Sequence, residues 1–197
     1  MSLFIKVCGV TDRETAQICV EAGVEALGFV FADSPRRLSA AQAESISASL
    51  PPEVLRVAVF RSPSHEDVER VLEGFTPDLV QADHEAALSL RGVSTLPVYR
   101  EGTDASPGGG RFLFEGPESG AGRRVEIARA GDMACLGEMV LAGGLRPDNV
   151  GEAITRVRPF GVDVSSGVEF SPGEKSPVLI RSFVAAVRAA EERLVSV

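Results

Sequence analysis

The sequence has no tryptophan, a single tyrosine, two histidines and three cysteines. Cys8, Cys19 and Cys135 are odd in number and stand at no metal-ligand spacing, so neither a disulfide framework nor a metal site is expected. Reduced thiols suit a cytoplasmic protein. Positive charge is also scarce: 20 Lys and Arg against 28 Asp and Glu leave a formal net charge of -8. That balance excludes nucleic acid and anionic membrane as partners, since both demand a basic face. Long apolar runs are missing too, and the opening Met-Ser-Leu-Phe-Ile-Lys reads as a first strand rather than a secretory signal. An anionic ligand must therefore be met by a few placed arginines, lysines or helix N-termini.

What is present is a repeated pattern of a short apolar run, a loop and an amphipathic stretch. Eight strand-like runs stand at Phe4–Cys8, Ala26–Phe31, Leu55–Phe60, Leu79–Asp83, Thr95–Arg100, Arg111–Glu115, Glu138–Ala142 and Gly161–Ser165. They are rich in Val, Leu and Phe rather than cleanly alternating, as parallel strands covered on both faces should be. Helices are predicted over Asp12–Glu21, Ser39–Leu50, Ser64–Glu73, Pro147–Val157 and Ser176–Leu194, several opening on a Ser, Thr or Pro start signal. Strand–helix alternation implies right-handed parallel crossovers, and eight units in 197 residues imply one trimmed (β/α)8 TIM barrel domain spanning 1–197.

Two connections are thin. Glu85–Leu90 allows about two turns of helix, and Glu101–Gly110, with Pro107 and four glycines, leaves helix 5 missing. Loss of a helix should bare apolar barrel surface, which a second copy could cover, so the chain is expected to be a monomer or a homodimer. A doubly wound sheet would place its phosphate-binding glycines after the first strand, whereas here the glycines cluster after strands 7 and 8.

Barrel sites lie at the C-terminal ends of the strands. Gly143-Gly144 and Ser165-Ser166-Gly167 stand where barrels hold a phosphate through backbone N–H groups. Cys8 ends strand 1, with Lys6 on the same side, and a neighbouring ammonium favours the thiolate. A buried Lys6 needs a partner, and Asp163 on the adjoining strand 8 is the available carboxylate. Glu115 ends strand 6 across the mouth from Cys8, giving an acid and a base on opposite sides of a ligand. Arg36, in the loop after strand 2, offers a planar fork for a carboxylate. Gln81 and Asp83 end strand 4.

These residues resemble phosphoribosylanthranilate isomerase. The resemblance is carried at the start by Lys6-Val7-Cys8-Gly9-Val10-Thr11, Gly28-Phe29-Val30-Phe31 with Ser34-Pro35-Arg36, and Val57-Ala58-Val59-Phe60. At the end it is carried by Leu141-Ala142-Gly143-Gly144-Leu145, Asn149-Val150 and Gly161 through Glu169, with Pro172-Gly173 and Lys175 following. It implies a cofactor-free Amadori rearrangement of N-(5'-phosphoribosyl)anthranilate in tryptophan biosynthesis. Cys8 would be the general base and Glu115 would stand at the position of the general acid. Arg36 would bind the anthranilate carboxylate, Gln81, Asp83 and Asp163 would contact the substrate, and the two glycine loops would hold the phosphate.

The middle of the chain departs from the pattern. Glu115 replaces an aspartate and Asp83 a histidine. The glycine-rich loop after strand 6 shrinks to Ser119-Gly120-Ala121-Gly122, followed by Glu126-Ile127. An extra carboxylate at Asp83 should either repel an anionic substrate or help Glu115 keep its proton. The alternative reading is a divergent paralogue that binds or isomerises another phosphorylated sugar, or has no catalytic activity.

Overall fold

A computed structural model describes residues 2–103, 105–117 and 125–195. Eight parallel strands close into a barrel: β1 (Phe4–Cys8), β2 (Ala26–Val30), β3 (Leu55–Val59), β4 (Leu79–Asp83), β5 (Thr95–Arg100), β6 (Arg111–Glu115), β7 (Glu138–Leu141) and β8 (Gly161–Val164). Closure is made by β1, which pairs with β2 on one side and with β8 on the other, Lys6 lying opposite Asp163. The fold is the (β/α)8 barrel the strand pattern predicts.

Side-chain alternation sorts the core into two shells. Ile5, Val7, Leu27, Phe29, Val80, Tyr99, Phe112, Met139 and Val162 pack outward under the helices. Phe4, Cys8, Ala26, Val57 and Val140, with Leu96, Val98 and Leu113 in a neighbouring group, form separate clusters that fill the barrel. Lys6 belongs to this interior set although it is charged and wholly buried.

Helices α1 (Arg13–Ala22), α2 (Ala40–Ser47) and α3 (His65–Leu72) start on side-chain caps from Asp12, Ser39 and Ser64. The short α4 (His84–Ser89) follows β4 directly. Between β5 and β6 no helix occurs among the described residues. The apolar surface expected there is not bare: Tyr99 and Phe112 are buried, and the His84 ring stacks on Tyr99 at 4.8 Å between centroids. The loop that replaces helix 5 packs Ala105 against the same core.

One helix went unforeseen. α5 (Ile127–Ala134) buries Ala130 and Met133, but its Glu126 start makes no side-chain cap and Gly131 interrupts its interior. The residues 119–122, read as a shortened glycine loop, lie outside the described residues. α6 (Val150–Val157) begins later than predicted. Pro147 and Asp148 belong instead to a turn pinned by Asn149, whose Oδ1 accepts from Arg146 N at 2.8 Å and whose Nδ2 donates to Gly144 O at 2.9 Å. After β8, a single 3-10 turn leads into a hairpin, β9 (Glu169–Ser171) and β10 (Glu174–Lys175), before α7 (Pro177–Val195).

Candidate active site

The predicted residues converge on the C-terminal mouth of the barrel. Lys6 Nζ donates to Asp163 Oδ1 at 2.7 Å, with the side chains 0% and 9% exposed. Burial by itself would lower the Lys6 pKa, but Asp163 and the Cys8 sulfur outweigh it and keep the ammonium charged. The Lys6–Asp163 pair is therefore as the strand register implied.

Cys8 departs from expectation in one respect. Its thiol is buried beside Lys6, yet burial pushes its pKa up and outweighs the pull of the ammonium. The resting state is a thiol, because desolvation of the buried sulfur, with the Asp163 charge added, outweighs Lys6. Space above it is kept by Gly28, where a Cβ would lie 3.0 Å from Cys8 Sγ and 3.2 Å from Lys6 Nζ. The Cys8 carbonyl accepts a hydrogen bond from Ser165 Oγ at 3.0 Å, tying the end of β1 to the loop after β8.

That loop and the one after β7 lie against each other at the end of the barrel. Gly143, Gly144, Ser165, Ser166 and Gly167 line one cavity together with Glu115 and Asp163. Gly143 and Gly144 have φ of 93° and 62°, a conformation that exposes consecutive backbone N–H groups. Gly167 must be glycine for packing: a Cβ there would fall 1.8 Å from Leu145 O, forcing the two loops apart.

Arg36 sits beyond the end of β2, its stem over Gly9, where a Cβ would collide with Arg36 Cδ at 2.3 Å. Its Nε and Nη2 each donate to Glu169 at 2.7 Å. The fork expected to face a ligand is thus taken by a residue of the β9–β10 hairpin. Its Nη1 makes no hydrogen bond among the described residues. Glu169 is also reached by the buried Lys175, whose Nζ lies 2.7 Å from Oε1 and 3.0 Å from Ser165 O. Burial would raise the Glu169 pKa, but Arg36 and Lys175 override it and hold the carboxyl at about 2. The hairpin therefore links the arginine rim to the Ser165 loop through one chain of charge-assisted hydrogen bonds. Glu169 and Lys175 lie within the stretch that carries the resemblance, but no pattern in the sequence pairs them with Arg36.

Across the mouth the structure supplies a residue that sequence reasoning missed. Arg100, at the end of β5, lies opposite Glu115 in the strand register. Its Nη1 is 2.6 Å from Asp83 Oδ1 and its Nη2 is 3.0 Å from Glu115 Oε1. The Arg100 guanidinium therefore stands between the Asp83 and Glu115 carboxylates. Gln81 is buried two residues below Asp83, and its Oε1 accepts no hydrogen bond among the described residues.

The arrangement offers a thiol, a carboxyl, a guanidinium and a glycine-lined cavity at the C-terminal end of the barrel. The family model for N-(5'-phosphoribosyl)anthranilate (PRA) isomerase matches residues 5–186, the whole of this constellation included. The chain belongs to the phosphoribosylanthranilate isomerase family. The family member of Chlorobaculum tepidum is 38% identical, over 96% of this chain and 97% of its own length. The isomerase of Pseudomonas fluorescens is 39% identical over 93% and 97%. Among solved isomerase structures, that from Thermus thermophilus superposes with a TM-score of 0.86 at 31% identity, covering 95% of this chain and 99% of the other. Another, complexed with reduced 1-(O-carboxyphenylamino)-1-deoxyribulose 5-phosphate, gives 0.78 at 30% identity over 95% and 99%. The isomerase match runs through the middle of the chain, so the departures at Asp83 and Glu115 are local. No helix among the described residues is long and apolar enough to cross a membrane.

Proposed function

We propose that this chain converts N-(5'-phosphoribosyl)anthranilate into 1-(2-carboxyphenylamino)-1-deoxyribulose 5-phosphate, as a cytoplasmic enzyme of tryptophan synthesis, with Cys8 as general base and Glu115 as general acid. The observation that carries the assignment is that Glu115, Asp163 and both glycine loops line one cavity, to which Cys8 is tied through Ser165. A phosphate seated on the glycine loops fixes one end of the sugar, and Arg36 Nη1 meets the anthranilate carboxylate at the other.

The chemistry then needs two proton movements. Glu115 gives a proton to the ribose ring oxygen, the C1'–O bond breaks, and the aryl nitrogen lone pair forms an iminium at C1'. Cys8, as thiolate, takes the C2' proton, and the electron pair moves to form the enolamine, which tautomerises to the ketone. Each group changes protonation once, and no external oxidant or reductant enters. Lys6 is positioned to stabilise the thiolate when the proton leaves. Because Cys8 rests as a thiol, the working form is a minor protonation state, and general acid–base catalysis of about 10²–10⁴-fold is asked of the pair. The free thiols of Cys8, Cys19 and Cys135 suit a reducing compartment.

The test is loss of anthranilate-type fluorescence on mixing the protein with the substrate, with complementation of a tryptophan auxotroph as the cellular version. Turnover abolished by Cys8→Ala and by Glu115→Ala supports the roles; turnover that survives Glu115→Ala moves the acid elsewhere.

A further inference from the structure

We infer that Arg100 and Asp83 are positioning residues that set the proton on Glu115, by sharing one guanidinium between two carboxylates. The catalytic meaning of this rests on Glu115 being the acid, but the sharing itself is a property of the fold.

The geometry is symmetrical in purpose. Arg100 presents Nη1 to Asp83 at 2.6 Å and Nη2 to Glu115 at 3.0 Å, all three side chains being between 15% and 21% exposed. Asp83 is fixed from its far side, where Oδ2 accepts from Ser62 Oγ at 2.6 Å. Glu115 is fixed by cross-strand register with Arg100, and its carbonyl accepts from Glu101 N at 3.0 Å.

The charge count explains what the third group does. An arginine facing a lone carboxylate resists protonation of that partner, because a guanidinium would be left uncompensated in a half-closed site. Here, when Glu115 takes a proton, Asp83 still neutralises Arg100. When Glu115 gives the proton away, Arg100 is already in place to meet the new carboxylate. Asp83 thus makes the acid form attainable, and Arg100 stabilises the form left after proton transfer. The histidine-to-aspartate and aspartate-to-glutamate departures become one compensated change.

Among the described residues, the other charged groups near the cavity that Glu115 lines are themselves partnered. On β8, Asp163 shares the cavity but is neutralised by Lys6 of β1. Cys8 on β1 rests as a thiol. The end of β7 contributes Ala142 and Gly143, which carry no charge, and Arg146 beyond them is bound to Asp148. The Glu101 carboxylate accepts from Glu126 N.

The experiment is a carbon-13 NMR titration of the protein labelled at glutamate side-chain carboxyls, with the Glu115 resonance assigned by its loss in Glu115→Gln. Arg100→Met should raise the Glu115 midpoint and Asp83→Asn should lower it, each by about one to two pH units. Opposite shifts support the sharing, since a merely structural role would not reverse sign. Midpoints that stay put, or move the same way in both variants, overturn it. Should Arg100→Met not fold, Asp83→Asn alone decides, a lowered midpoint supporting and an unchanged one refuting. Activity of Glu115→Gln is read separately. Opposite shifts with an active Glu115→Gln would reject the acid role and leave the sharing intact, whereas an inactive Glu115→Gln with unmoved midpoints would reject the sharing alone.

Discussion

The rim made by β7, β8 and β1 and the rim made by β4, β5 and β6 solve their problems with different materials. The first works through backbone. Gly143 and Gly144 take left-handed φ beside the cavity, Gly167 lets the loops touch, and the Lys6–Asp163 pair is sunk in the barrel. The second works through long, partly exposed side chains, Asp83, Arg100 and Glu115, on strands joined without a described helix between β5 and β6. Backbone grips tolerate little change because geometry is shared by several residues. Side-chain triads can be rebuilt by exchanging partners, which is where this chain departs from its family pattern.

The largest expected contrast is energetic. Lys6→Met leaves Asp163 buried and uncompensated and should cost about 3–5 kcal/mol of stability in urea unfolding. Arg100→Met removes a partly exposed bridge and should cost about 1 kcal/mol or less. Equal costs would erase the distinction between the rims. Next comes Gly167→Ala, whose methyl group cannot share space with Leu145 O. It should raise KM by about tenfold or more, some 1.4 kcal/mol, with a smaller change in kcat, measured with the phosphorylated substrate. An unchanged KM would remove the phosphate from the glycine loops.

A smaller effect sharpens the comparison through pH. Glu169 is held at about 2 against an ordinary value of 4.5, so its pairing stabilises the fold fully above 4.5 and is lost as pH falls toward 2. Glu169→Gln should lower Tm at pH 7 by about 4 °C, and the gap to the parent protein should close on acidification through that window. A gap that stays constant with pH would mean that the hairpin does not depend on this charge.

The unequal legibility of the two rims follows from the same physics. Glycine pairs after late strands, a cysteine at a strand end and a lysine two residues before it are local signals, and each was readable with its position in the barrel. Arg36 was readable as a clamp but not as a partner of Glu169, because 133 residues separate them and only the folded hairpin brings them together. Strand alternation places Arg100 on the inward face, but its pairing with Asp83 and Glu115 depends on the register of three strands, which the sequence does not carry. The thiolate at Cys8 was over-read, since the proximity of Lys6 was visible in sequence and the desolvation of the sulfur was not. α5 escaped because Gly131 and an uncapped start weaken its signal.

The central claim is that Cys8 and Glu115 act together on one substrate held by the glycine loops. Single-turnover rates for Cys8→Ala, Glu115→Gln and the double variant test it most directly. Two groups serving one rearrangement should each cost about 10²-fold or more alone, and the double variant should be little worse than the slower single one. Losses that multiply, or a Glu115→Gln rate within twofold of the parent, would contradict the account.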